Sequence, residues 1–171
     1  PENILMVSDD DDSDLKIVDF GLSKIIGPNE SSLDPFGTLS YVAPEVLLQK
    51  PYGKEVDLWS LGVISYLLLS RVLPFDDEED KEIARQTIQD APDFSFEPWD
   101  QVSDDAKDIC KRLLEKNRQK RLSLEDTLQH KWFAEFKEIH ESRKGNDNKF
   151  EAFTLTDVNS SKKTADLKQL Q

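Results

Sequence analysis

Few side chains in this sequence of 171 residues have both the type and the setting for chemistry. The acidic run from Asp9 to Asp14 offers the oxygens a calcium ion takes. It lacks the glycine at the sixth loop position and the glutamate at the twelfth that a calcium loop needs, so it reads as a solvated turn. Cys110, the one cysteine, falls in an apolar stripe and is expected in the core rather than as a nucleophile. His130 and His140 have no Cys or His companion at metal spacing, and His130 is expected to pack or hydrogen-bond structurally. What remains is an ordered series: Pro1-Glu2-Asn3, Asp19-Phe20-Gly21, Gly37-Thr38 and Ala43-Pro44-Glu45. Taken singly, Asn3 reads as a turn or cap residue and Asp19 as a strand-end acid.

The elements that must position these groups are legible. "NILMV" and "LKIVDF" are apolar runs of strand length joined by the polar "SDDDDSD", which predicts a β-hairpin. From Leu22 to Val42, Gly27, Pro28, Asn29, Pro35 and Gly37 break any helix, leaving a loop long enough to carry function. "VDLWSLGVISYLLLS" is apolar on nearly every face and predicts a helix in the middle of a helical body, with Asp57 in its first turn, where the helix dipole favours an acid. Ala106, Ile109, Cys110, Leu113 and Leu114 make one helical stripe with Ser103 placed to cap it. Ser123 with Asp126 fits a capping box, and Glu79 to Gln89 predicts an amphipathic surface helix. Beyond about Phe136 the apolar spacing decays, and "HESRKGNDNK" reads as a linker.

Composition bounds the function. A formal charge of −13 argues against nucleic acid and anionic membrane surfaces as partners and favours cationic protein substrates. There is no apolar run of about eighteen residues and no signal-type leader, so a soluble, cytoplasmic setting is the default expectation.

In this order, and followed by "VDLWSLGVISYLLL", "LPF" and Arg121 ahead of "LSLEDTLQHKWF", the motifs resemble the signature set of the eukaryotic serine/threonine protein kinases across about residues 1 to 133. "LKIVDFGLSK", "SYVAPEVL" and "WDQVSDDAKDICKRLL" are similar to the calcium/calmodulin-dependent and calcium-dependent kinase group. The resemblance implies a mainly α fold with a small β-hairpin, the C-terminal (large) lobe of a kinase with the N-terminal lobe missing. Residues 1–135 would be that lobe portion and 136–171 a linker and poorly structured tail.

The same resemblance implies roles. Asn3 and Asp19 would be the magnesium ligands beside ATP, because phosphoryl transfer needs phosphate charge held by oxygen-ligated metal. Asp19, Phe20 and Gly21 would begin the activation loop, Gly21 supplying freedom in φ and Phe20 the packing that reports whether Asp19 faces in or out. Thr38 would bond the catalytic base and its lysine, marking a Ser or Thr acceptor. Glu2, Thr38 and Tyr41 would receive the substrate, Glu2 meeting one basic residue near the acceptor. Leu67 stands where related kinases place a second such acid, so no strong two-arginine preference is expected. Glu45 would pair with Arg121 in the interior, and Asp57 would anchor from its helix. Asp34, four before Thr38, would supply the charge that many kinases gain by phosphorylating this loop.

The chain also departs from the family pattern. Asn117-Arg118 replaces the usual Asp-Pro, a change of turn chemistry. The sequence has no Gly-x-Gly-x-x-Gly, no strand lysine with its helix glutamate and no His-Arg-Asp, so the chain alone is expected to be inactive. The alternative is a pseudokinase or truncated binding scaffold, which His-Arg-Asp-Leu-Lys directly upstream would refute. Control by calmodulin or a calcium-binding region would have to come from outside this sequence.

Overall fold

The chain's structure, a computed structural model, describes residues 1–9, 13–27, 30–34 and 37–133. The expected linker and tail lie outside the described residues. Strand β1 (Ile4–Met6) pairs antiparallel with β2 (Leu15–Ile17) in the register Ile4↔Ile17, Leu5↔Lys16, Met6↔Leu15. The ladder continues past both ends: Val7 N–H donates to Asp14 O and Val18 N–H to Asn3 O, each at 2.9 Å. This is the expected hairpin.

Six α-helices follow among the described residues: α1 (Pro44–Leu47), α2 (Glu55–Ser70), α3 (Asp80–Gln89), α4 (Glu97–Asp100), α5 (Asp104–Leu113) and α6 (Leu124–Leu128). The long expected loop is irregular over its described residues, apart from one isolated bridge between Ser32 and Tyr52 and a 3-10 turn at Leu39–Tyr41. Helix α2 is the axis of the core. It buries Trp59, Gly62, Val63, Tyr66 and Ser70, and Gly62 lets α5 approach so closely that a Cβ there would stand 2.8 Å from that of Leu113. It stops at Arg71, whose left-handed φ of 66° turns its N–H onto Leu67 O.

Helix α5 presents Ala106, Ile109, Cys110 and Leu113 to that core, and Ser103 Oγ accepts from Ala106 N–H at 3.3 Å. Burying Ile109 and Leu113 contributes about 1.5–3 kcal/mol each. Burial pushes the Cys110 thiol up to about 12, so it stays protonated and inert. Tyr66, Phe94 and Trp99 form an aromatic triangle with centroids 4.6–5.3 Å apart.

Three local expectations change in detail. Helix α3 starts at Asp80 with Glu79 as its N-cap residue, and buries only Ile83 and Thr87. At α6, Ser123 Oγ accepts from Asp126 N–H at 3.0 Å and donates to the Asp126 carboxylate at 2.8 Å; this short acid meets the hydroxyl instead of completing the box at the backbone. Helix α2 is not apolar-covered on every side: Leu61 and Leu68 are exposed.

His130 is buried, accepting from Trp132 N–H at Nδ1, 3.2 Å, which leaves Nε2–H to donate to Asp108 at 3.0 Å. At the departure from the family turn, Asn117 Oδ1 accepts from Gln119 N–H at 3.0 Å, while its main-chain oxygen accepts from Lys120 and Arg121. This Asx turn does the work of the missing proline, and Arg118 reaches across to Pro51 O and Glu55.

Candidate functional site

Asp19 lies two residues after β2, and Asn3 directly precedes β1, so the hairpin register brings both to the same end of the ribbon. Both side chains are exposed. The strained backbone lies at Asp19 itself, with φ of 61°, whereas Gly21 is not in the left-handed region. This corrects the expectation that Gly21 supplies the freedom in φ. Gly21 N–H donates to Asp19 Oδ1 at 3.1 Å, and a Cβ on Gly21 would stand 3.1 Å from that oxygen. A side chain at this position would crowd that carboxylate oxygen. Phe20 is half exposed.

A cleft of about 700 Å³ lies between the loop and the start of α2. Asp19, Gly21, Asp34, Thr38, Tyr41 and Asp57 all line it, so most residues singled out from sequence converge there; Glu2, Asn3 and Phe20 are not among its lining. Thr38 precedes the 3-10 turn and makes no side-chain cap bond there. Tyr41's phenol is held above its ordinary value by burial and, secondarily, by the negative charge of Glu2. Asp57 keeps an open surface, yet the protein crowding its carboxyl pushes its pKa upward.

Asp34 meets Lys24 at 2.8 Å. The hydrogen bond from Lys24, then that from Ser32, holds the Asp34 carboxyl below its usual range, and the same contact raises Lys24. Among the described residues the cation beside Asp34 is Lys24. Nothing in "LKIVDFGLSK" marks Lys24 for this contact, because no local pattern links residues ten apart across an irregular loop.

Below the cleft, Glu45 and Arg121 meet across 76 residues in a two-pronged pair, Nη1 to Oε1 at 2.7 Å and Nη2 to Oε2 at 2.9 Å. Arg121 also donates to Glu55 O and Glu115 O, each at 3.0 Å, and lies over the Trp59 ring, 5.2 Å from its centroid. The pair ties α1, at the end of the loop, to the turn before α6 with its charges fully hydrogen-bonded.

Residues 1–133 match the protein kinase domain family. The chain is 45% identical over 135 residues to calcium-dependent protein kinase 25 of Arabidopsis thaliana, covering 79% of this chain and 26% of that protein. It is 48% identical over 132 residues to calcium-dependent protein kinase 11 of Oryza sativa subsp. japonica, covering 77% and 23%. With calcium/calmodulin-dependent protein kinase type 1B of Rattus norvegicus it shares 47% over 134 residues, covering 78% and 39%. The chain thus spans well under half the length of these relatives. With a mainly helical body, a two-stranded antiparallel ribbon and this set of motifs, the chain belongs to the protein kinase family, in its calcium-dependent and calcium/calmodulin-dependent group.

Proposed function

We propose that residues 1–135 are the C-terminal lobe of a serine/threonine protein kinase that uses ATP and magnesium, and that residues 136–171 are a linker and tail beyond it. The observation that carries this reading is the shared cleft: Asp19 from the hairpin, Thr38 from the loop end and Asp57 from the core helix line one cavity. Asn3 and Asp19 fit magnesium, being exposed hard-oxygen donors at one end of the ribbon. Among the described residues no group of three or more His, Cys, Asp or Glu could hold a metal ion, so the other ligands in this reading are ATP phosphates and water. Bound magnesium neutralises phosphate charge during transfer of the γ-phosphoryl group. This chain's own residues orient: Thr38 would hold the catalytic base supplied from upstream, and Glu2, near Tyr41, would take a basic residue of the substrate.

In this reading the 171-residue chain alone transfers no phosphoryl group, because neither the base nor the ATP lysine is in its sequence. The calcium in its relatives' names extends to this chain as control through calmodulin or a calcium-binding region outside these residues. The test is ATP-dependent phosphorylation of serine peptides by a full-length parent carrying this chain, wild type against Asp19→Ala. The expected loss is about a hundredfold or more, the scale of removing one charge-stabilising group. A parent without transferase activity, or an Asp19→Ala variant at wild-type rate, would overturn the reading and favour a scaffold.

A further inference from the structure

Tyr52 leads into α2 and touches the activation loop twice. Its main chain forms an isolated antiparallel bridge with Ser32, Ser32 N–H donating to Tyr52 O at 2.9 Å and Tyr52 N–H to Ser32 O at 3.0 Å. Its phenol donates to the main-chain oxygen of Asp34 at 2.6 Å. Ser32 is only 3% exposed although it sits in a loop whose neighbours Ser31 and Leu33 are open. The Ser32 hydroxyl accepts from Asp34 N–H at 3.2 Å and from Lys24 Nζ at 3.1 Å, and donates to Asp34 Oδ2 at 2.8 Å. Lys24, Asp34 and Tyr52 all line the cleft that also holds Asp19 and Thr38.

We infer that Tyr52 and Ser32 are positioning residues that clamp the activation loop onto the base of α2, and that a negative group placed on Ser32 opens the clamp. The inference rests on the kinase reading and concerns how that site is regulated. The physical case is local. The bridge and the phenol hold two points of the loop against the residues that lead into the core helix. The Ser32 hydroxyl joins the Lys24–Asp34 ion pair, whose members already meet at 2.8 Å, and hydrogen-bonds to both. A phosphate or carboxylate at Ser32 would stand against Asp34 with a single lysine between them, which repels and loses the donated hydrogen bond. A loop serine is ordinarily read as an activating phosphate acceptor; Ser32 is buried in the clamp, and negative charge introduced there would act against loop ordering. Ser31, exposed and one residue away, is the control.

The experiment is amide hydrogen exchange on the 171-residue chain, following residues 30–34 and 50–54, in Tyr52→Phe, Ser32→Glu and Ser31→Glu. Losing one hydrogen bond predicts exchange about fivefold faster in both windows for Tyr52→Phe, and faster again for Ser32→Glu. Ser31→Glu should match wild type, and exchange in α5 should not change in any variant. Unchanged exchange in Tyr52→Phe, or equal effects of glutamate at 31 and 32, overturns the clamp. In the full-length parent, Tyr52→Phe should raise the KM for peptide several-fold with kcat nearly kept, because the loop is misplaced but the reacting groups are intact. Faster exchange without a KM effect overturns the positioning role. A parent with no activity at all would fail the kinase reading while the exchange result still judges the clamp.

Discussion

Lys116 carries the clearest electrostatic consequence of a single position. Its ammonium donates to the carbonyls of Gln86 and Thr87, in the last turn of α3, at 3.2 and 2.6 Å, and lies over the Phe75 and Trp59 rings at 4.4 and 5.5 Å. Burial nevertheless pulls its pKa down from 10.5 to about 8, with the charges of Asp90 and Glu115 opposing. A folded value below the unfolded one means that between pH 8 and 10.5 the unfolded chain holds the proton and the folded chain has released it. Stability from this group therefore rises as pH goes from about 8 towards 10.5. Urea midpoints at pH 7.5 and 10 should show that increment in wild type and lose it in Lys116→Met; an identical pH response in the variant would refute the assignment. Asp34 acts in the same sense in the acid range: its carboxyl is depressed, so the stability from the Lys24 contact is present at neutral pH and is lost as pH falls through its lowered value.

Two close approaches hold the elements together. The Glu45–Arg121 pair joins α1 to the turn before α6, and both charges are removed from water. Truncating Arg121 leaves a buried carboxylate without its donors, so Arg121→Ala should cost about 3–5 kcal/mol in urea denaturation. A wild-type midpoint would rule this out. Between α2 and α5 the contact depends on Gly62. Gly62→Ala must push aside the Cβ of Leu113 and the Leu114 side chain, 2.8 and 3.1 Å away, and should cost about 1–3 kcal/mol despite alanine's better helix propensity. A stabilised variant would show that the helix pair gives way easily.

At the scale of the molecule, several large apolar side chains stand open among the described residues. Leu15 and Ile17 on the ribbon are 63% and 69% exposed, and Leu68 on the core helix is 72% exposed. The chain covers only 23–39% of these relatives, and under the proposed lobe reading such faces are where the rest of a kinase would pack. Leu68→Gln separates the alternatives. In this chain it should change stability by less than about 0.5 kcal/mol, as surface substitutions do. In a full-length parent, where that face would be covered, the same change should cost about 1–3 kcal/mol by thermal denaturation. Equal small effects in both would count against the lobe assignment.

Sequence by itself determined what is local or strongly patterned. The hairpin, the capped α5, the core place of Cys110 and the kinase motif order were all readable, because strand and helix periodicities and short motifs act over a few residues. Only the tertiary structure decided which distant groups meet. The partner of Asp34 and the bridge from Ser32 to Tyr52 come from how an irregular loop lies beside the residues leading into α2, and the left-handed backbone at Asp19 shows only in the folded chain. Such a loop has no periodicity to read, and its hydrogen bonds are chosen by what the packed core brings within reach.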